Sequence, residues 1–92
     1  MKENLEKEKC FRTMDESFEN FIAYLIELLK EKYNDTLHVP EDESESKRSF
    51  RDGLNLAYYD VLDLIQSQLE AFGYDTKPFG VIVPELGKKA DI

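Results

Sequence analysis

Cysteine is nearly missing from this chain: Cys10 stands alone among 92 residues, so no intramolecular disulfide can form. Tryptophan is absent, histidine occurs once as His38, and the four glycines are scattered at 53, 73, 80 and 87. That dispersal excludes a phosphate-cradling glycine loop. No apolar run approaches the ~20 residues needed to span a bilayer, and the first residues, Met1-Lys2-Glu3-Asn4-Leu5, carry no apolar segment of signal-peptide type. The expectation is a cytoplasmic protein with no membrane contact. Bases are also scarce, 12 against 20 acids, for a net charge of −8. Binding to nucleic-acid phosphates needs a positive face, so nucleic acid is not an expected partner.

Hydrophobic residues make up 41% of the chain and charged ones 35%, enough apolar content to fold. They are arranged with helical spacing in two stretches, residues 13–33 and 46–72. In the first, Phe11, Met14, Phe18, Phe21, Leu25 and Leu28 recur at alternating steps of three and four. Ile22, Ile26, Leu29 and Tyr33 form a second stripe beside it. The combined face is wider than the seam of a two-stranded coiled coil and calls for at least two neighbouring helices.

Two readings of the helix start compete. The stripe through Phe11 suggests a helix that begins before Thr13, whereas Thr13-Met14-Asp15-Glu16 fits a capping box at Thr13. Residues 1–12 are charged and read as a helix extension or a mobile end.

The second helix is drawn from Phe50, Leu54, Ala57, Tyr58, Val61, Leu62, Ile65, Leu69 and Phe72, widened by Leu56 and Leu64. Gly53 interrupts it, either at a close helix crossing or as a tolerated glycine. Gly73 follows the last periodic residue, the usual place for a left-handed cap. Between the helices, residues 34–45 form a connector containing Val39-Pro40, and Pro40 turns Val39 away from helix. Leu37 and Val39 are expected beneath the turn. The stretch from Asn34 to Ser46 carries −5 of the total charge. Beyond Gly73 the tail changes character. Lys77-Pro78-Phe79-Gly80 breaks the helix, and Val81-Ile82-Val83 is a short β-prone run ended by Pro84. That run is expected to dock on the hairpin, with a mobile tail as the main alternative and an edge strand or insertion into a partner also open; residues 87–92 read as mobile.

The fold class is therefore all-α: one small domain, an antiparallel two-helix hairpin with an irregular C-terminal tail. Two helices bury little surface, so dimerisation into a four-helix bundle is expected. Candidate interface residues are Phe18, Ile22, Leu25, Ile26, Leu29, Leu54, Tyr58, Tyr59, Leu62, Ile65 and Leu69. Tyr59 is singled out because a half-exposed tyrosine offers apolar area and a polar tip.

No constellation points to catalysis. Asp60 and Asp63 share a helix face, as do Glu16 and Glu19, but carboxylate pairs arise by chance in so acidic a chain. A di-metal bundle would also need Glu-x-x-His pairs, and His38 lies in the connector without that spacing. Cys10 sits among Lys7, Lys9 and Arg12, neighbours that favour a thiolate, yet no resolving thiol or nearby histidine accompanies it. The expectation is a non-enzymatic protein with no cofactor and no metal, acting as an interaction or regulatory protein through helical association. The alternative is an acidic inhibitor or immunity-type protein that meets a basic protein partner through Glu41, Asp42, Glu43 and Glu45.

Overall fold

The computed structural model describes residues 10–92. Two helices pack against each other and no strand occurs among the described residues. Helix α1 spans Glu16–Asp35 and helix α2 spans Glu45–Ala71. A one-turn 3-10 helix, Lys77–Phe79, lies in the tail. The hairpin is antiparallel. Phe18 and Ile22 at the start of α1 line the same hollow as Ile65, Leu69 and Phe72 at the end of α2. At the other end, Arg51 and Asn55 of α2 bond to Thr36, the C-cap of α1.

Helix α1 begins neither at Thr13 nor before it. Residues 10–15 are non-helical, and Asp15 is the N-cap, its carboxylate accepting from the Phe18 N–H at 2.8 Å. An aspartate cap places a full negative charge against the positive end of the helix dipole, which a threonine hydroxyl does not. For residues 1–9, the expectation of a helix extension or a mobile end lies outside the described residues. The segment just before the cap runs beside the far end of α2 instead. The Arg12 N–H donates to the Gly73 carbonyl at 2.8 Å, and the Arg12 guanidinium lies 5.5 Å from the centre of the Tyr74 ring. Met14 packs against the core.

Ser44 caps α2, its hydroxyl accepting from the Lys47 N–H. The helix closes in a Schellman motif. The Tyr74 N–H donates to the Leu69 carbonyl at 2.9 Å and the Gly73 N–H to the Glu70 carbonyl at 3.0 Å. Gly73 takes φ +84°, a left-handed conformation that only glycine adopts cheaply. Gly53 is ordinary helix, and a Cβ added there would meet nothing within 4 Å, so no helix crosses closely at that point.

The core is small: Ile26 and Tyr33 from α1, Leu62 and Leu69 from α2, Ile82 and Ala90 from the tail. Tyr33 and Leu62 are fully buried, each 0% exposed. Leu37 is half-buried against this cluster, whereas Val39 stays exposed. Val81-Ile82-Val83 pairs with no strand; its middle residue enters the core and Val81 faces solvent. The hairpin is thus a two-helix layer with its own tail laid across one side.

Candidate interaction face

The opposite side of the layer is open and apolar. On α1 it carries Phe18, Phe21, Leu25 and Leu28; on α2 it carries Phe50, Leu54, Ala57, Val61, Leu64 and Gln68, ending at Phe72. Steps of three and four relate these positions on both helices, the 3.5-residue repeat of a supercoiled seam. None of them is charged. Phe18, Ile22, Leu64, Gln68 and Phe72 together line one hollow of about 330 Å³, so the two stripes meet across the helix boundary as one surface. Phe18 and Tyr74 close its end, their rings 6.1 Å apart.

The open area is substantial. Phe18, Phe21, Phe50 and Phe72 are 40%, 60%, 69% and 57% exposed. At about 200 Å² for a phenylalanine side chain they leave roughly 450 Å² uncovered. Leu28, Val61 and Leu64, also exposed, bring the patch toward the roughly 800 Å² per partner that a standard interface buries.

The expected interface residues divide between the two sides. Phe18 lies on the open face, with Leu25 and Leu54 half-buried at its centre line. Ile26, Leu62 and Leu69 are buried inside the single chain and cannot touch a partner; Ile82 and Ala90 of the tail complete the packing around them. Ile22, Leu29, Tyr58, Tyr59 and Ile65 are half-buried against that same core. Phe21, Leu28, Phe50, Val61, Leu64 and Phe72 were not among the expected interface residues, although all six belong to the helical stripes and are exposed. The missing information was which stripe the tail would cover.

On the covered side the tail is held by α1 through its backbone. The Tyr33 hydroxyl accepts from the Gly87 N–H at 3.0 Å and donates to the Lys88 carbonyl at 2.8 Å. The Asn34 carboxamide pairs with both backbone groups of Ala90, donating to its carbonyl at 3.0 Å and accepting from its N–H at 2.7 Å. The Lys30 ammonium donates to the Asp91 carbonyl at 3.0 Å. Burial pulls the Lys30 pKa below its ordinary value, against the opposing pull of the Asp91 and Glu27 charges.

The acidic connector is not uniformly available to a partner. Glu43 is fixed within the fold: Arg51 donates Nε to its Oε2 at 2.7 Å and Nη2 to its Oε1 at 3.0 Å. The Glu43 and Arg51 side chains are only 7% and 19% exposed. The hydrogen bonds from Arg51 hold the Glu43 carboxyl below the usual carboxylate range. A third Arg51 bond, to the Thr36 carbonyl at 2.9 Å, ties the connector to the end of α1. Glu41, Asp42 and Glu45 remain exposed. Asp60 and Asp63 are exposed on α2, and Cys10 is exposed at the edge of the described segment.

Among the described residues, no helix is long and apolar enough to cross a membrane. No protein-family model matches the chain, and neither a curated protein nor a solved structure resembles it significantly.

Proposed function

We propose that this chain is an interaction protein that works through helical association, and that the occupant of its open face is a second copy of itself. One observation carries the reading: two uncharged apolar seams with a 3.5-residue repeat lie side by side on the surface opposite the tail. A seam of that repeat is satisfied by another helix of the same repeat. A twofold axis through the face sets each seam against its copy and produces a four-helix bundle. Between Lys32 and Lys47, which stand at one end of the two seams, and Phe18 and Phe72 at the other, the seam positions carry no charge, so two chains of net charge −8 can meet there with their carboxylates at the rim and beyond. The available area suits a standard interface and not a larger obligate one. A regulatory protein whose assembly depends on its concentration fits that scale.

Light scattering after size exclusion, run over a wide concentration range, tests this. Phe21→Glu and Leu64→Glu each place a carboxylate at the centre of the face while leaving the buried cluster untouched. Both variants should keep wild-type helicity by circular dichroism and elute as monomers where the wild type is a dimer. A wild type that is monomeric and cooperatively folded at every concentration would refute self-association and leave the face to a different protein.

A further inference from the structure

The tail does not fill the space along the side of α1. A cleft of about 350 Å³ remains between α1 and the tail, walled by Ala23, Ile26, Pro78, Phe79 and Val81. That volume lies within the range of small-molecule sites. Three ionisable side chains line it: Lys30, Glu27 and Asp91. Lys30 is 6% exposed as a residue, and one of its donors is held by the Asp91 carbonyl. The cleft lies on the tail side of the layer, so assembly through the opposite face leaves it accessible.

The composition of the cleft selects the chemistry. Its walls are apolar and favour an uncharged ligand body. Its two carboxylates disfavour an anion beside the single amine, so a carboxylate or phosphate ligand is a poor match. An amine in an apolar recess, with its charged form already disfavoured by burial, is the setting in which lysine acts as a nucleophile. Among uncharged electrophiles that react with an amine, a carbonyl compound is the one that condenses reversibly and releases only water.

We propose that the cleft between α1 and the tail binds an apolar aldehyde, and that Lys30 condenses with it to form an imine. The neutral amine adds to the carbonyl carbon, forming the C–N bond and a carbinolamine. The carbinolamine then loses its oxygen as water. Both hydrogens of that water derive from the amine and its surroundings, so the step consumes no oxidant or reductant. Glu27 and Asp91 stabilise the protonated imine by charge, as they do the ammonium it replaces.

The probe is benzaldehyde with sodium cyanoborohydride, which reduces the imine to a stable secondary amine. The full chain is treated near neutral pH, digested, and each lysine is scored by mass spectrometry. Lys30 should be labelled several-fold faster than the exposed Lys32, Lys47, Lys77 and Lys88. Labelling of Lys30 at or below their rate would overturn the proposal. Ala23→Phe narrows the cleft from its wall and should slow labelling at Lys30 alone. Glyoxylate, an aldehyde bearing a carboxylate, provides a second arm that needs no variant. Benzaldehyde should be preferred over glyoxylate at Lys30 more strongly than at Lys47, and equal preference at the two sites would mean that the cleft does not select the ligand.

Discussion

Removing one oxygen atom, by Tyr33→Phe, tests how the tail is held. The Tyr33 ring is fully buried between the helices and the tail, and its hydroxyl serves three backbone groups: it accepts from the Gly87 N–H and donates to the Lys88 carbonyl, with the Glu85 carbonyl a second acceptor at 3.3 Å. Phenylalanine keeps the ring packing and deletes all of these bonds. A net hydrogen bond contributes about 1 kcal/mol, and a buried group left without a partner costs about 1–3 kcal/mol. If the tail stays docked, the two losses together come to about 2–4 kcal/mol. The tail has another option, since residues 85–89 are exposed and can lift away to rehydrate their backbone. The loss in global stability is then capped by the free energy of that local opening. Urea denaturation should show a decrease of about 2 kcal/mol, near 10 °C in Tm for a chain of this size. Amide hydrogen exchange should accelerate most at Gly87 and Ala90, with Leu62 changing only by the global amount. The reasoning fails if Gly87 exchange is unchanged, or if stability falls by less than about 0.5 kcal/mol, the scale of an inconsequential surface change.

Other substitutions probe the remaining elements. Leu62→Ala, at the fully buried centre of α2, should cost about 2–5 kcal/mol in denaturant unfolding; a smaller loss would mean that the cluster around it collapses to fill the space. Gly53→Ala should stabilise the chain by about 0.5–1 kcal/mol, because the site is helical with open space around it. A destabilised variant there would indicate a contact at Gly53 that the single chain lacks. Glu43 makes stability depend on acid. Its carboxyl is held below the usual carboxylate range when folded, so its contribution is present above the unfolded carboxylate pKa and is lost as pH falls through the lower folded value. Urea midpoints between about pH 6 and pH 3 should therefore fall less steeply for Glu43→Gln than for the wild type. Parallel curves would contradict the assignment.

The helical hairpin was legible in the sequence because periodicity, caps and breakers agreed. Gly73 follows the second stripe and takes the cap position expected of it, whereas Ser44, which caps the other end, lay unnoticed in the acidic connector. The start of α1 was less legible. Thr13 and Asp15 are both good caps, and the choice depended on where Met14 and Arg12 find partners across the hairpin. The division of apolar residues into a covered and an open side was not legible at all. Both sides of α1 present leucine and aromatic residues at helical spacing, and composition does not record which side the tail chooses. Tyr33 and Asn34 decide it, through bonds to residues more than fifty positions away. Their partners are backbone groups, which carry no signature in the tail's own side chains. Glu43 was hidden for a related reason: one of four acids in a row of five residues pairs inward with Arg51, and its neighbours look alike in sequence.

The Asn34 carboxamide offers Ala90 the same donor and acceptor that an adjoining β-strand would. An extended segment normally obtains such pairing by joining a sheet, and a sheet has a free edge that invites further strands and aggregation. Here the pairing is complete after a single rung, because a side chain has no next residue to continue the ladder. The tail is thereby docked without creating a template for fibre growth. The choice also separates the roles of the two segments: the side chains of Lys88 and Lys89 are exposed, while the docking rests on the side-chain amide at position 34.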